Sequence, residues 1–273
     1  MAGRFEGRRA VITGASRGIG AGTAQRLAAE GARVALVART LDKHPTRPGS
    51  LRETEATLRA YGHRVGSIVA DLADPEARST VISQAVEILG GPVDILVNNA
   101  VSPAAVPLTE VSARQQRTAY ECNVIAPLEL TQQVVAGMRA AGAGWIVNMT
   151  SFGANLHYGP PFYLGPQGST MELYGTTKAA LNRLTSGLAG DLHGTGIRVN
   201  AVGPRIAVMS EGMADLMGDQ LAPEMFEAVE ETVEAVVALC DCAEDTTGKV
   251  TVSLDLIADW GLTVHNLDGL ARV

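Results

Sequence analysis

Short apolar runs at Ala10–Ile12, Arg33–Ala38, Val65–Ala70 and Val93–Asn98 alternate with helical stretches at Ala21–Glu30, Leu51–Tyr61 and Pro75–Leu89. That alternation constrains the chain more than any other feature. Strands apolar throughout are those buried on both faces, so the pattern predicts parallel strands joined by right-handed helical crossovers. The first unit, Arg9-Ala-Val-Ile-Thr-Gly-Ala-Ser-Arg-Gly-Ile-Gly20, reads as a strand, a glycine turn and a helix. Gly14, Gly18 and Gly20 let the backbone turn tightly, approach a pyrophosphate and pack the helix close to the strand. The free N–H groups of that helix then face phosphate.

In such a unit the end of the second strand selects the dinucleotide. An acidic residue there would bind the ribose 2′-hydroxyl of NAD and repel a 2′-phosphate. This chain has Ala38 followed by Arg39, with Arg17 inside the glycine turn. Paired guanidiniums suit a doubly charged phosphate, which predicts NADP(H) in preference to NAD(H). The bland alternative is that both arginines are solvated surface charges. Asp71, at the end of the third strand, either meets the adenine amino group or caps its own turn.

Further along, Asn98-Asn99-Ala100 ends the fourth strand, a long helix starts near Ser112 with a kink expected at Pro127, and Trp145–Met149 is the fifth strand. Residues 152–173, rich in aromatics and proline, separate Ser151 from the helix opening near Tyr174. Tyr174 and Lys178 lie four apart, hence on one helix face. Arg198–Val202 and Thr246–Ser253 complete seven strands, with a last helix expected over Pro223–Leu239 and an apolar tail from Asp255 suited to docking on a neighbour.

The order and spacing of these residues resemble the short-chain dehydrogenase/reductase family, in the subgroup built on one compact Rossmann domain. The resemblance runs from Thr13–Gly20 through Asp71, Asn98-Asn99-Ala100, Asn123, Ser151, Tyr174-x-x-x-Lys178 and Asn200-Ala-Val-Gly-Pro204. Lys178 is one of only three lysines, with Lys43 and Lys249. The resemblance implies a three-layer, doubly wound α/β Rossmann fold, a central seven-stranded parallel sheet with helices on both faces. It implies Asn123, Ser151, Tyr174 and Lys178 as catalytic residues, with Asn123 in a water-mediated proton relay. It implies cofactor contacts from Gly14, Ser16, Arg17, Gly18, Ile19, Gly20, Arg39, Asp71, Leu72, Asn99, Tyr174, Lys178 and Pro204.

The chemistry follows from charge. Adding a hydride to a ketone builds negative charge on oxygen, so a positioned acid must deliver a proton there. Tyrosine can serve, and a neighbouring Lys178 ammonium is expected to pull its pKa down from about 10. Ser151, with Thr150 as competitor, would hold the substrate oxygen. His157, Tyr158 and Tyr163 either touch substrate or pack within their loop, and packing is the expectation.

Two features depart from the family. The interval 152–173 is long, implying a flap over the substrate. After Pro204 the chain has Arg205, and Met209 stands where the family places a threonine on the nicotinamide, with Ser210 nearby. Met209, Met213, Leu216, Met217, Leu221 and Met225 form a methionine-rich stretch, which points to a bulky hydrophobic alcohol or ketone, or to plain packing of the lid.

The 273 residues, 46% apolar and 19% charged, show no compositional break, so a single domain over 1–273 is expected, with substrate loops at about 152–173 and 205–224. A net charge of −7 argues against a nucleic-acid partner, and no apolar run reaches membrane-span length. The N-terminal residues lack a secretory pattern, which makes a cytoplasmic location the expectation. Cys122, Cys240 and Cys242 form no metal-ligand pattern with the histidines, so they read as neutral thiols and no metal is expected. Relatives are usually dimers or tetramers, so a homo-oligomer is expected. A catalytically weak NADP-binding regulator is the alternative to an enzyme; an epimerase or dehydratase would need more chain than follows Pro204.

Overall fold

The structure, a computed structural model, describes residues 3–42, 48–103, 106–164, 168–205, 207–208 and 226–272. Lys43 and the methionine-rich stretch from Met209 to Met225 lie outside the described residues. Seven strands form one parallel sheet: β1 (Arg9–Thr13), β2 (Arg33–Ala38), β3 (Val65–Val69), β4 (Ile95–Asn98), β5 (Gly144–Met149), β6 (Ile197–Gly203) and, after the pair described below, β9 (Val250–Val252). Their order is β3-β2-β1-β4-β5-β6-β9, so the winding reverses between β1 and β4. Ligands of open α/β sheets lie beyond the strand C-termini at such a reversal.

Alternation along each strand builds a core on either face. Ala10, Ile12, Val34, Leu36, Ile95 and Val97 point to one side, where α1 (Gly18–Ala29) and α2 (Leu51–Arg59) supply Ala24, Leu27, Leu51 and Leu58. The same side receives Val233, Val236 and Val237 of α8 (Val229–Leu239) and Leu256 of α9 (Ser253–Trp260). Val11, Ala35, Val37, Leu96 and Ile146 point the other way, onto α4 (Val81–Leu89) and α6 (Ala126–Ala141). A fully buried aliphatic side chain stabilises by about 1.5–3 kcal/mol, so either layer loses heavily if strand register slips by one residue.

Several expected elements differ in detail. The helix read over Pro75–Leu89 is two, α3 (Pro75–Ser79) and α4, broken at Thr80. Arg78 on α3 is buried, ion-paired with Glu129 at 2.7 Å and Glu121 at 3.0 Å, and donates to the Leu72 carbonyl at 2.6 Å. This arginine ties the β3 turn to the helical layer, its guanidinium buried and its two carboxylate partners about a third exposed. The long helix after Ser112 is not simply kinked at Pro127. It runs as α5 (Ala113–Tyr120), a π-helical turn (Glu121–Ile125) and α6, with Pro127 in the first turn of α6 where its missing N–H is not needed.

The last strand is shorter than Thr246–Ser253: β9 stops at Val252 and Ser253 opens α9, a helix that the β-branched run concealed. A two-residue parallel pair, β7 (Ala207–Val208) with β8 (Phe226–Glu227), is also absent from the sequence reading. The tail folds onto its own chain. His265 meets Glu234 of α8 through its backbone N–H and its ring, both at 3.1 Å, and Glu234 accepts from Arg26 of α1 at 2.8 Å. Trp260 and Leu270 stay exposed.

Candidate active site

The glycine turn is held from behind by the end of β4. Thr13 Oγ1 accepts the N–H groups of Asn99 and Ala100, each at 2.9 Å, and Asn99 Nδ2 donates to the carbonyls of Thr13 at 2.9 Å and Gly14 at 3.2 Å. A Cβ at Gly14, whose φ is +67°, would stand 2.8 Å from Asn99 Nδ2, and one at Gly20 would collide with the same amide. These glycines are therefore required by packing as well as by any ligand. Helix α1 opens after Arg17 with no side-chain cap and no acidic residue in its first turn. Its leading N–H groups have no capping side chain, and the cradle suits a phosphate group.

Ser16, Arg17, Gly18 and Ile19 are all partly exposed along this turn. Arg39 is exposed directly beyond β2, and Asp71 lies beyond the neighbouring β3, where Ala70 N–H donates to Ala38 O at 3.0 Å. Asp71 caps its own turn by accepting Ala73 N–H at 3.0 Å, while the buried Leu72 gives its carbonyl to Arg78. Asn98 joins strands, donating to Asn148 at 2.9 Å, which donates to Thr185 at 2.9 Å.

Across the reversal, Ser151 follows β5 and Tyr174 lies in the first turn of α7 (Glu172–Asp191). Their side chains lie close enough for Ser151 to favour the ionised phenol. A short helical turn, Phe152–Ala154, brings them together by crossing α7 at Gly175, where a Cβ would collide with the Gly153 carbonyl. Ser151 Oγ also accepts Gly153 N–H at 3.2 Å. Gly175 was not singled out from sequence, although a glycine directly after the helix tyrosine is the signal that could have found it. Thr150, the competitor, has a buried hydroxyl with no hydrogen-bond partner among the described residues.

Lys178 is 2% exposed, and its Nζ donates to the Met149 carbonyl at 2.6 Å and sits 5.6 Å from the centre of the Tyr174 ring. Burial pushes its pKa down to about 8. Tyr174 goes the other way from expectation: burial raises it above 10, and the neighbouring Ser151 hydroxyl offsets this only in part. The phenol is desolvated, and the nearby ammonium is itself disfavoured by the same burial. Asn123, fully buried in the π turn, donates to Ser102 O at 3.1 Å and Thr177 Oγ1 at 2.9 Å and accepts Ser102 N–H at 2.8 Å. Thr177 in turn donates to Tyr174 O at 2.7 Å, so Asn123 reaches the tyrosine's helix through one hydroxyl.

Pro204 follows β6, and Gly203 before it lies against Thr150, 2.7 Å from the site of a Cβ. His157 pairs with Glu172 at 3.2 Å, tying the 152–173 excursion to the start of α7. The aromatics do not pack within the loop as expected: Tyr158 is 81% and Tyr163 73% exposed, with Phe152, Leu156 and Phe162 exposed as well. Burial raises the thiol pKa of all three cysteines, Cys122 and Cys242 to about 11, which keeps them neutral. Among the described residues no cluster could hold a metal, and no helix is long and apolar enough to cross a membrane.

A glycine turn at the head of α1 on one side of the strand reversal and a Ser–Tyr–Lys group beyond β5 on the other fit a class, the dinucleotide-dependent oxidoreductases. The short chain dehydrogenase family model matches residues 8–220. L-xylulose reductase of Bos taurus is 34% identical over 263 residues, covering 92% of this chain and 96% of that protein. A short chain dehydrogenase from Burkholderia cenocepacia in complex with NADP is 32% identical, with a TM-score of 0.74 over 91% of this chain and 97% of its own. A 3-oxoacyl (acyl-carrier-protein) reductase from Agrobacterium tumefaciens with NADP bound is 25% identical, with a TM-score of 0.74 over 91% and 93%. The chain belongs to the short-chain dehydrogenase/reductase family, and is an oxidoreductase acting on CH–OH groups.

Proposed function

We propose that this chain is a single catalytic domain that uses NADP(H) to interconvert a bulky hydrophobic ketone and its secondary alcohol. The observation that carries the reading is Ser151 set close enough to Tyr174 to act on its phenol, with Lys178 one helical turn along. The nicotinamide dinucleotide supplies or accepts the hydride when bound. Ser151 and Tyr174 hold the carbonyl oxygen, and Tyr174, kept protonated by burial, delivers a proton to it. Lys178 places positive charge beside the phenol as it gives that proton up, and its bond to Met149 O fixes where the charge stands. Asn123 holds the π turn against α7, consistent with a proton relay to solvent. A cofactor-binding regulator without turnover would leave this arrangement unexplained.

Gly14, Gly18 and Gly20 with Ser16, Ile19 and Asn99 form the phosphate cradle, Asp71 and Leu72 flank the adenine, Tyr174, Lys178 and Pro204 the nicotinamide ribose and ring, and Arg17 and Arg39 the 2′-phosphate. The NADP-bound structures among the relatives support the dinucleotide. Arg39→Ala is expected to weaken NADPH about tenfold, the loss of one charged hydrogen bond, and to leave NADH unchanged. Fluorescence titration of the two cofactors checks this; no effect on either would make Arg39 an ordinary surface charge, and an equal loss of both would move it off the 2′-phosphate.

The exposed side chains of the 152–173 excursion favour an apolar ketone over a sugar, although a relative is named for a ketose. Self-association fits a mostly apolar groove of about 590 Å³ lined by Leu108, Val111, Tyr120 and Leu173.

A further inference from the structure

A buried acid stands next to the cofactor-facing turn without any part in the proton chemistry. Glu227, the last residue of β8, is 4% exposed. Its Oε1 accepts the backbone N–H of Arg205; its Oε2 accepts the hydroxyls of Thr232 on α8, at 3.2 Å, and Ser253 on α9. The Arg205 guanidinium pairs with Asp255, away from this carboxylate. A carboxylate is expensive to bury unless strongly bonded, and an apolar residue would satisfy packing at that place. What an apolar residue could not do is accept an N–H at position 205.

That N–H belongs to the turn that carries Pro204. Gly203, one residue earlier, lies against the Thr150 backbone, and Thr150 N–H donates to Val202 O at 2.9 Å. Thr150 leads directly into Ser151. The carboxylate, the turn and the strand end bearing Ser151 are thus one continuous stack of bonded and touching groups. We propose that Glu227 is a positioning residue for the nicotinamide end of the site. Through Oε1 it fixes the Pro204–Arg205 turn, and through Gly203 it steadies the strand end at Ser151; Oε2 serves only to dock α8 and α9. The inference rests on the dinucleotide reading given above.

The two oxygens have separate partners, so the two roles separate experimentally. NADPH affinity of the folded protein, melting temperature, and KM and kcat are measured for Glu227→Ala, Glu227→Gln and the double variant Thr232→Val with Ser253→Ala. Glu227→Ala raises the NADPH Kd and KM several-fold, the roughly tenfold worth of one whole charged hydrogen bond being the upper bound because the bond lies within the protein, with a smaller change in kcat. Glu227→Gln restores affinity to near wild type, because its amide oxygen still accepts the Arg205 N–H while its NH₂ donates to the hydroxyls. The double variant melts earlier and keeps wild-type NADPH affinity. Should Glu227→Ala not fold, Glu227→Asp, too short to reach Arg205, carries the same expectation.

Folded Glu227→Ala or Glu227→Asp binding NADPH as wild type does would overturn the proposal, and so would a double variant weakened as much as Glu227→Ala. Wild-type protein that binds neither NADPH nor NADH would instead remove the dinucleotide reading before any variant is compared.

Discussion

Tyr174→Phe lowers kcat for ketone reduction by about a hundred- to ten-thousand-fold, the range a positioned general acid supplies. The substitution removes one hydroxyl from a partly buried ring and leaves α7, Gly175 and the Lys178–Met149 bond in place. Melting temperature should therefore change little, and NADPH affinity should fall by no more than about tenfold, the worth of one hydrogen bond from the phenol to the nicotinamide ribose. Ser151 Oγ keeps the Gly153 N–H. Because burial holds the phenol above its ordinary pKa, the resting acid carries the proton it is to deliver throughout the neutral range. Steady-state kinetics with an apolar ketone, beside NADPH titration, check this. Wild-type kcat in the phenylalanine variant would take Tyr174 out of the chemistry.

Lys178→Met produces the second large loss, together with a change in how stability depends on pH. With the ammonium gone, no cation among the described residues acts on the phenol as it gives up its proton, and kcat falls by about a hundredfold or more. For stability the sign is set by the depressed pKa. Below about 8 the lysine is protonated in both folded and unfolded chains, and the folded state carries the full cost of a buried charge. Between about 8 and 10.5 the folded state has released its proton and the unfolded state has not, so stability rises with pH across that window. Above 10.5 both are neutral. The interval of 2.5 units corresponds to roughly 3 kcal/mol. Denaturant unfolding across this range should show wild type gaining on Lys178→Met as pH rises; parallel curves would mean the ammonium is not desolvated as described.

The layers and the glycine turn were readable because buried parallel strands are apolar throughout and the turn's glycines are fixed by sterics local to it. Tyr174 and Lys178 were readable because helical spacing puts them on one face. What stayed hidden depends on distant parts of the chain. Glu227 reads as an acid at the edge of an apolar stretch; only the fold gathers donors from positions 205, 232 and 253 around it. Arg78 looks like a surface residue of a short helix until Glu121 and Glu129 arrive from the next layer. The π turn at Glu121–Ile125 has a periodicity compatible with ordinary helix, and Asn123's bonds to Ser102 and Thr177 accompany its widening. Thr251-Val252-Ser253 continues a strand pattern, yet Ser253 is drawn into a helix whose first residue meets Glu227. The pKa of Tyr174 was misjudged because charge proximity can be read from spacing, whereas desolvation cannot.

The most direct test of the central claim is cofactor consumption by the purified wild-type chain, with NADPH and with NADH, over a panel running from aromatic and long-chain ketones to sugars. The arrangement of Ser151, Tyr174 and Lys178, together with the proposed 2′-phosphate contacts of Arg17 and Arg39 at the far end of the dinucleotide, predicts ketone-dependent oxidation of NADPH, fastest with the apolar members and much slower with NADH. Tight binding of NADPH with no oxidation on any carbonyl would contradict it and leave the chain a nucleotide-binding protein without turnover.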